Sequence, residues 1–192
     1  MKKYNIAENE YYLVIARLIP DNNIDLIIEG YKRSNSTKKL VIVGPLDKSS
    51  YVRKLLAQTS EKVLFVGGIY EPRLQRTFRH NCFAYIHGHE MGGVNPSLVE
   101  VLSSKNVVLA IDVSFNRVTA KHAAIYFKKD PDDLKEKIEA LEECSEKSNL
   151  KEEAYLIYKK KYAVELMVGE FIGFVSRISK LHNLPYEYLD EE

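Results

Sequence analysis

The chain has 192 residues, with 28 Lys and Arg against 27 Asp and Glu for a formal net charge of +1; this length supports one domain with a full hydrophobic core, and the balanced charge offers no bulk field for nucleic acid. Its two cysteines, Cys82 and Cys144, lack metal-ligand spacing and do not form a disulfide framework. The start MKKYNIAENEYY has no apolar core, and no apolar run approaches the roughly 18–20 residues that span a bilayer, so the expected setting is a reducing cytoplasm, with room for peripheral contact at the inner face of the plasma membrane.

Residues 1–10 read as a tail, and Tyr11–Ala16 as the first strand. A loop from Arg17 to Asn23 leads into a helix to Arg33, where Ile24, Ile27, Ile28 and Tyr31 recur at helical spacing. Strands are expected at Leu40–Val43, ended by Gly44-Pro45, and at Val63–Val66, stopped by Gly67-Gly68. Helices are expected at Ser50–Gln58 and Pro72–His80. Cys82–Ile86 is the next apolar strand, and Val107–Ile111 follows after a helix ending near Ser104. A turn or short helix over Ser114–Lys121 leads to a last strand, Ala124–Phe127. Apolar strands alternating with helices predict an α/β fold, a doubly wound parallel sheet of about six strands.

The C-terminal third is helical by pattern. Asp130-Pro-Asp-Asp opens a helix to Cys144, and Lys151–His182 reads as one long or once-broken segment. Tyr155, Tyr158, Tyr162, Met167, Phe171, Phe174 and Ile178 form a stripe along it. The stripe packs on the domain itself or meets a second domain. The domain is expected to span 11–182, with 183–192 a tail frayed at Asp190–Glu192.

Chemistry concentrates in HGHEMGGVNPSLVEVLSS, His87–Ser104. Gly92-Gly93 permits close backbone approach to a ligand. Asn95 is placed to cap a helix whose first residue is Pro96, and that helix start carries a positive dipole end. Such a unit either holds a phosphate or uses its glycines only to turn. No Walker loop, Gly-x-Ser-x-Gly elbow, His-Glu-x-x-His or catalytic triad is present. ARLIPDNN after the first strand has no glycine, which excludes a Gly-x-Gly-x-x-Gly dinucleotide site. Its Arg17 replaces the acidic pair of a phospho-accepting receiver domain.

HGHEMGGVNPSLVEVL resembles the donor-site motif of the retaining glycosyltransferases built from two Rossmann-like domains, and is closest to the rhamnosyltransferase-like enzymes of bacterial surface-polysaccharide synthesis. ARLIPDNNIDLIIEGY (16–31), VLFVGGIY (63–70) and FNR (115–117) are similar to that family in order and spacing. The resemblance covers about Tyr11–Phe127. It implies the C-terminal, donor-binding half of such an enzyme. The expected donor is a nucleotide diphosphate sugar, such as dTDP-rhamnose or a UDP-hexose, and the expected acceptor a glycan or lipid-linked sugar. Transfer is with retention, and no cofactor or metal is expected. The acceptor would lie against a separate N-terminal domain, so this chain by itself is expected to be inactive. A non-catalytic nucleotide-sugar-binding module and a protein-interaction domain are the rival readings.

The resemblance also implies roles for single residues, each with a plainer reading. Arg17 would contact the donor diphosphate; from sequence it could instead pair with Asp21. Asn22 stands at a diphosphate position where the family has a lysine. Glu100 would accept hydrogen bonds from the ribose hydroxyls, or is a solvated carboxylate. Arg17 and Glu100 are the residues assigned to catalysis. Gly92, Gly93, Val94, Asn95 and Ser97 would surround the diphosphate, while Ile69 and Tyr70 would present backbone to the base or simply pack. His87, His89, Glu90, Asn116 and Arg117 are the candidates for the donor sugar. The wider family has a glutamate where Gly92 stands, and Glu90 is two residues out of step with it.

Overall fold

The computed structural model describes residues 4 and 6–182, with side chains through residue 179; the expected tail at 183–192 lies outside the described residues. Six parallel strands form one sheet: β1 (Tyr11–Ile15), β2 (Lys39–Val43), β3 (Val63–Gly67), β4 (Ala84–His87), β5 (Val108–Ile111) and β6 (Ala124–Phe127), in the order β3-β2-β1-β4-β5-β6. The expected doubly wound sheet is therefore present. The chain runs outward from β1 in one direction and then from β4 in the other. The C-terminal ends of those two strands flank the crevice where open α/β sheets bind ligands.

Strand alternation builds two cores. Tyr12, Val14, Leu40, Ile42, Ala84, Ile86, Leu109 and Ile111 face one layer. It is covered by α1 (Ile24–Arg33), α2 (Ser50–Leu56) and α6 (Pro131–Glu143). Tyr11, Leu13, Val41, Val43, Tyr85, Val108 and Ala110 face the other. There α3 (Pro72–Asn81), α4 (Pro96–Ser103), α5 (Ser114–Ala120) and α7 (Lys147–Lys161) bury Phe78, Leu98, Val101, Leu102, Ala120, Ala154 and Ile157. Because side chains alternate faces along a strand, two covered faces demand unbroken apolar runs. YYLVI and KLVIV meet that demand.

Three differences from the sequence reading matter. The fourth strand begins at Ala84 rather than Cys82 and includes His87, which pairs in register with Ala110. A histidine ending an apolar run reads as loop, but ladder pairing keeps it on the sheet. The C-terminal segment breaks at Tyr162–Ala163 into α7 and α8 (Val164–His182), and α7 starts at Lys147. The aromatic stripe is divided by that break. Tyr158 and Tyr162 pack against the second core, whereas Met167, Phe171 and Phe174 are more than half exposed. Within the expected N-terminal tail, Ile6 is buried and the Asn9 amide donates to the Asn81 carbonyl at 2.8 Å. Among the described residues, no helix is long and apolar enough to cross a membrane.

Candidate functional site

A cleft of about 330 Å³ opens at the crevice between β1 and β4. Two loops shape it, one after each strand, and they touch through backbone. A Cβ on Gly88 would lie 2.3 Å from the Asn22 carbonyl oxygen, so only glycine allows this approach. Asn23 takes a left-handed conformation (φ 51°, ψ 37°) and donates from Nδ2 to the Gly88 carbonyl at 2.9 Å. The Glu90 amide donates to the Asp21 carbonyl at 3.1 Å. Asn22 completes the brace. Its Nδ2 donates to the Arg17 carbonyl at 2.7 Å, which turns Oδ1 toward His89 Nδ1, also at 2.7 Å. His89 therefore carries its proton on Nδ1 when neutral and leaves Nε2 as an acceptor.

Arg17 is exposed on the rim of this cleft and makes no ion pair among the described residues; the alternative pairing with Asp21 is not made. The α4 start is capped as expected, with the Ser97 amide donating to Asn95 Oδ1 at 3.0 Å. Leu98 and Val99 amides are also taken, both by the Asn95 carbonyl. Pro96 has no N–H at all. The first turn of α4 thus offers its dipole rather than free amides. Free donors lie earlier, in the turn at Gly92, Gly93 and Val94, whose amides have no backbone partner among the described residues. Gly92 has φ +102°, so a glutamate there would strain the turn.

The sequence candidates separate into two groups. Arg17, Asn22, His87, His89, Asn95, Ser97 and Glu100 line the cleft together. Ile69 instead packs in the core and Tyr70 is 79% exposed, its ring lying over Gly68. Glu90 pairs with Lys129 Nζ at 2.7 Å, which holds its carboxyl below the usual range. Asn116 is buried and donates to the carbonyls of His89 (3.0 Å) and Ile111 (3.1 Å), so it supports the His89 main chain from behind. Arg117 grips Asp112 and lies 4.4 Å over the Tyr126 ring, committed to that pairing. Gln75, Arg79, Tyr85 and Gly88 also line the cleft and went unread in the sequence. Arg79 is the instructive omission. It is one of three arginines on α3, and nothing in PRLQRTFRHN separates the buried one from the exposed two.

His87 lies at the floor, 3% exposed, stacked on Tyr85 with ring centroids 6.1 Å apart. Its Nε2 is buried without a hydrogen-bond partner among the described residues. Burial, and secondarily the neighbouring His89, pushes its pKa down to about 3, so the ring is neutral at ordinary pH. The sign of the linkage follows: between about 3 and 6.5 the unfolded chain binds the proton and the folded one does not. Stability is then complete above pH 6.5 and falls as pH drops toward 3, by up to ~1.4 kcal/mol per unit from this group. Denaturant unfolding at pH 7 and pH 5 measures it. His87→Phe should lose less stability over that interval than the unsubstituted protein, and equal losses would show that His87 titrates normally.

The family model described as "Glycosyl transferases group 1" matches residues 1–161. No curated protein sequence matches the chain. Among solved structures, HepE from Anabaena in complex with UDP and glucose superposes with a TM-score of 0.79 at 15% identity, over 91% of this chain and 50% of that one. A glycosyltransferase from Rickettsia africae gives 0.80 at 15%, over 93% and 50%. A UDP-forming α,α-trehalose-phosphate synthase from Burkholderia vietnamiensis gives 0.72 at 12%, over 88% and 46%. At these identities the likeness concerns the fold, and the chain spans about half the length of the proteins it matches.

Proposed function

Because the chain belongs to the group 1 glycosyl transferases, we propose that its cleft holds the nucleoside diphosphate of a sugar donor. The observation that carries this reading is Arg17, a guanidinium without an ion pair among the described residues, on the rim of a cleft at the sheet's reversal point. The α4 dipole supplies further positive potential; the amides of Gly92, Gly93 and Val94, exposed in the turn before α4 and outside the residues that line the cleft, would reach a diphosphate extending from it. The UDP named in the HepE complex supports a nucleotide of this kind.

In the transfer step the bond between the sugar's anomeric carbon and the β-phosphate oxygen breaks. An acceptor hydroxyl oxygen forms the new bond, and its proton passes to the departing phosphate. Arg17 and the loop amides stabilise charge growing on that phosphate. The Glu90 carboxylate is engaged by Lys129 and one Glu100 oxygen by Arg79. In the retaining transfer proposed here, the acceptor attacks on the face the phosphate leaves. The lack of a carboxylate at Gly92 suits a 6-deoxy sugar such as rhamnose, which presents fewer hydroxyls than a fully hydroxylated hexose. The acceptor, a glycan or lipid-linked sugar, would meet an additional domain, and the exposed apolar residues of α8 suit such a contact. Assembly of a bacterial surface polysaccharide at the cytoplasmic face of the membrane fits this chemistry. A non-catalytic nucleotide-sugar-binding module is the second reading, favoured by Asn22, which braces the loops where a second cation would sit.

These 192 residues tested alone should bind nucleoside diphosphates without transferring sugar, because transfer needs both substrates in near-attack geometry. Calorimetry with UDP and dTDP measures the first, and absence of binding to both would remove the reading. A donor panel on the protein joined to an acceptor-binding domain measures the second. Tenfold or greater preference for UDP-glucose, UDP-galactose or UDP-N-acetylglucosamine over dTDP-rhamnose, about 1.4 kcal/mol in the transition state, would eliminate the deoxy sugar. No transfer from any donor would favour the binding module.

A further inference from the structure

Arg79 is a buried cation in the wall of the cleft, its side chain 6% exposed. It comes from α3, one turn beyond Gln75, and its Nη2 donates both to Gln75 Oε1 (3.2 Å) and to Glu100 Oε2 on α4. Gln75 Nε2 in turn donates to the Ile69 carbonyl, in the segment that follows β3. One line of hydrogen bonds thus runs from the Ile69 main chain through Gln75 and Arg79 to Glu100. The Glu100 side chain is 51% exposed, and its second oxygen, Oε1, has no partner among the described residues.

The difference in exposure decides what this pair does. A half-exposed glutamate on a helix ordinarily samples several rotamers and gains little from an ion pair. Here its partner is buried, and a buried charge left alone is costly. Glu100 is therefore held on Arg79 in the cleft wall, with Oε2 engaged and Oε1 without a partner among the described residues. Arg79 also neutralises a carboxylate that would otherwise repel a bound diphosphate.

Resting on the nucleotide reading above, we propose that Arg79 is a positioning residue. It presets the Glu100 carboxylate for the ribose hydroxyls and, through Gln75, ties it to the main chain at Ile69. Pre-organisation of this kind gains affinity by removing the ordering cost from the binding step. Arg79 touches no substrate in this role. Its positioning effect is read in the ratio between ligands with and without ribose hydroxyls, whereas its charge acts on every diphosphate alike.

The test compares UDP with its 2′,3′-dideoxy counterpart, and dTDP, whose sugar carries only the 3′ hydroxyl, with its 3′-deoxy counterpart, by calorimetry on the 192-residue protein. The unsubstituted protein should prefer the hydroxylated ligand by about tenfold or more, the scale of a hydrogen bond to a charged group. Arg79→Lys keeps the charge without the planar fork, and Arg79→Met keeps the volume without the charge; each should cut the preference to about threefold or less. If Arg79→Met does not fold, Arg79→Lys carries the test. Glu100→Gln should lose the preference likewise. A purely structural Arg79 would weaken both ligands equally, so a preserved ratio in the folded variants overturns the inference. An unsubstituted protein that binds the diphosphates without hydroxyl preference also overturns it. One that binds neither removes the nucleotide reading itself, and the two failures are thereby distinct.

Discussion

Arg17→Ala should weaken nucleoside diphosphate binding by about 1.5–3 kcal/mol, the range for hydrogen bonds to charged groups, and leave the corresponding nucleoside nearly unaffected. Arg17 is exposed and without an ion pair among the described residues, so removing it breaks no internal bridge. Its carbonyl remains available to Asn22, because that bond uses main chain only. The loss should therefore fall on binding, with the unfolding midpoint held. Lysine at this position should recover the charge but not the two-pronged geometry, giving an intermediate affinity. Titrating UDP and uridine against both variants separates these effects. Identical UDP affinity in Arg17→Ala and the unsubstituted protein would take the guanidinium out of the site and remove the observation on which the functional reading stands.

Gly88→Ala should act on stability and binding together. Its Cβ would meet the Asn22 carbonyl oxygen at 2.3 Å and the Ile27 Cδ1 at 2.8 Å. The first contact is backbone and cannot rotate away, so the loops must separate. Separation strains the Asn23–Gly88 bond and the Asn22–His89 contact, both of which fix the cleft. Overpacking of this kind costs about 1–3 kcal/mol, and displacement of Arg17 and His89 should lower UDP affinity at least about tenfold, equivalent to 1.4 kcal/mol. Thermal unfolding and calorimetry on the same sample measure the two losses. A variant matching the unsubstituted protein in both would mean that the loop contact does not hold the cleft.

These two residues show how differently the sequence displayed its content. Arg17 was legible because it follows an apolar strand, and strand ends on one edge of a parallel sheet form the binding crevice. Gly88 stood beside the more conspicuous Gly92-Gly93 pair, and its close neighbour Asn22 lies far away along the chain. Asn22 stands in sequence at a diphosphate position, whereas the fold engages both ends of its amide between Arg17 and His89. Glu90 and Arg117 carry charges that looked available, yet Lys129 and Asp112 take them.

By itself the sequence determined the layers and marked which strand ends would border a candidate site. Alternation of fully apolar strands with amphipathic helices admits little except a sheet covered on both faces, and Asn95-Pro96 marks a helix start through local chemistry alone. Only the tertiary structure decided which side chains reach the cleft and in what state. Arg79 meets Glu100 across a gap between two helices, and His87 loses its proton because the sheet buries it beside Tyr85. Those properties depend on distance and desolvation in three dimensions. Residue order fixes neither until the chain has folded.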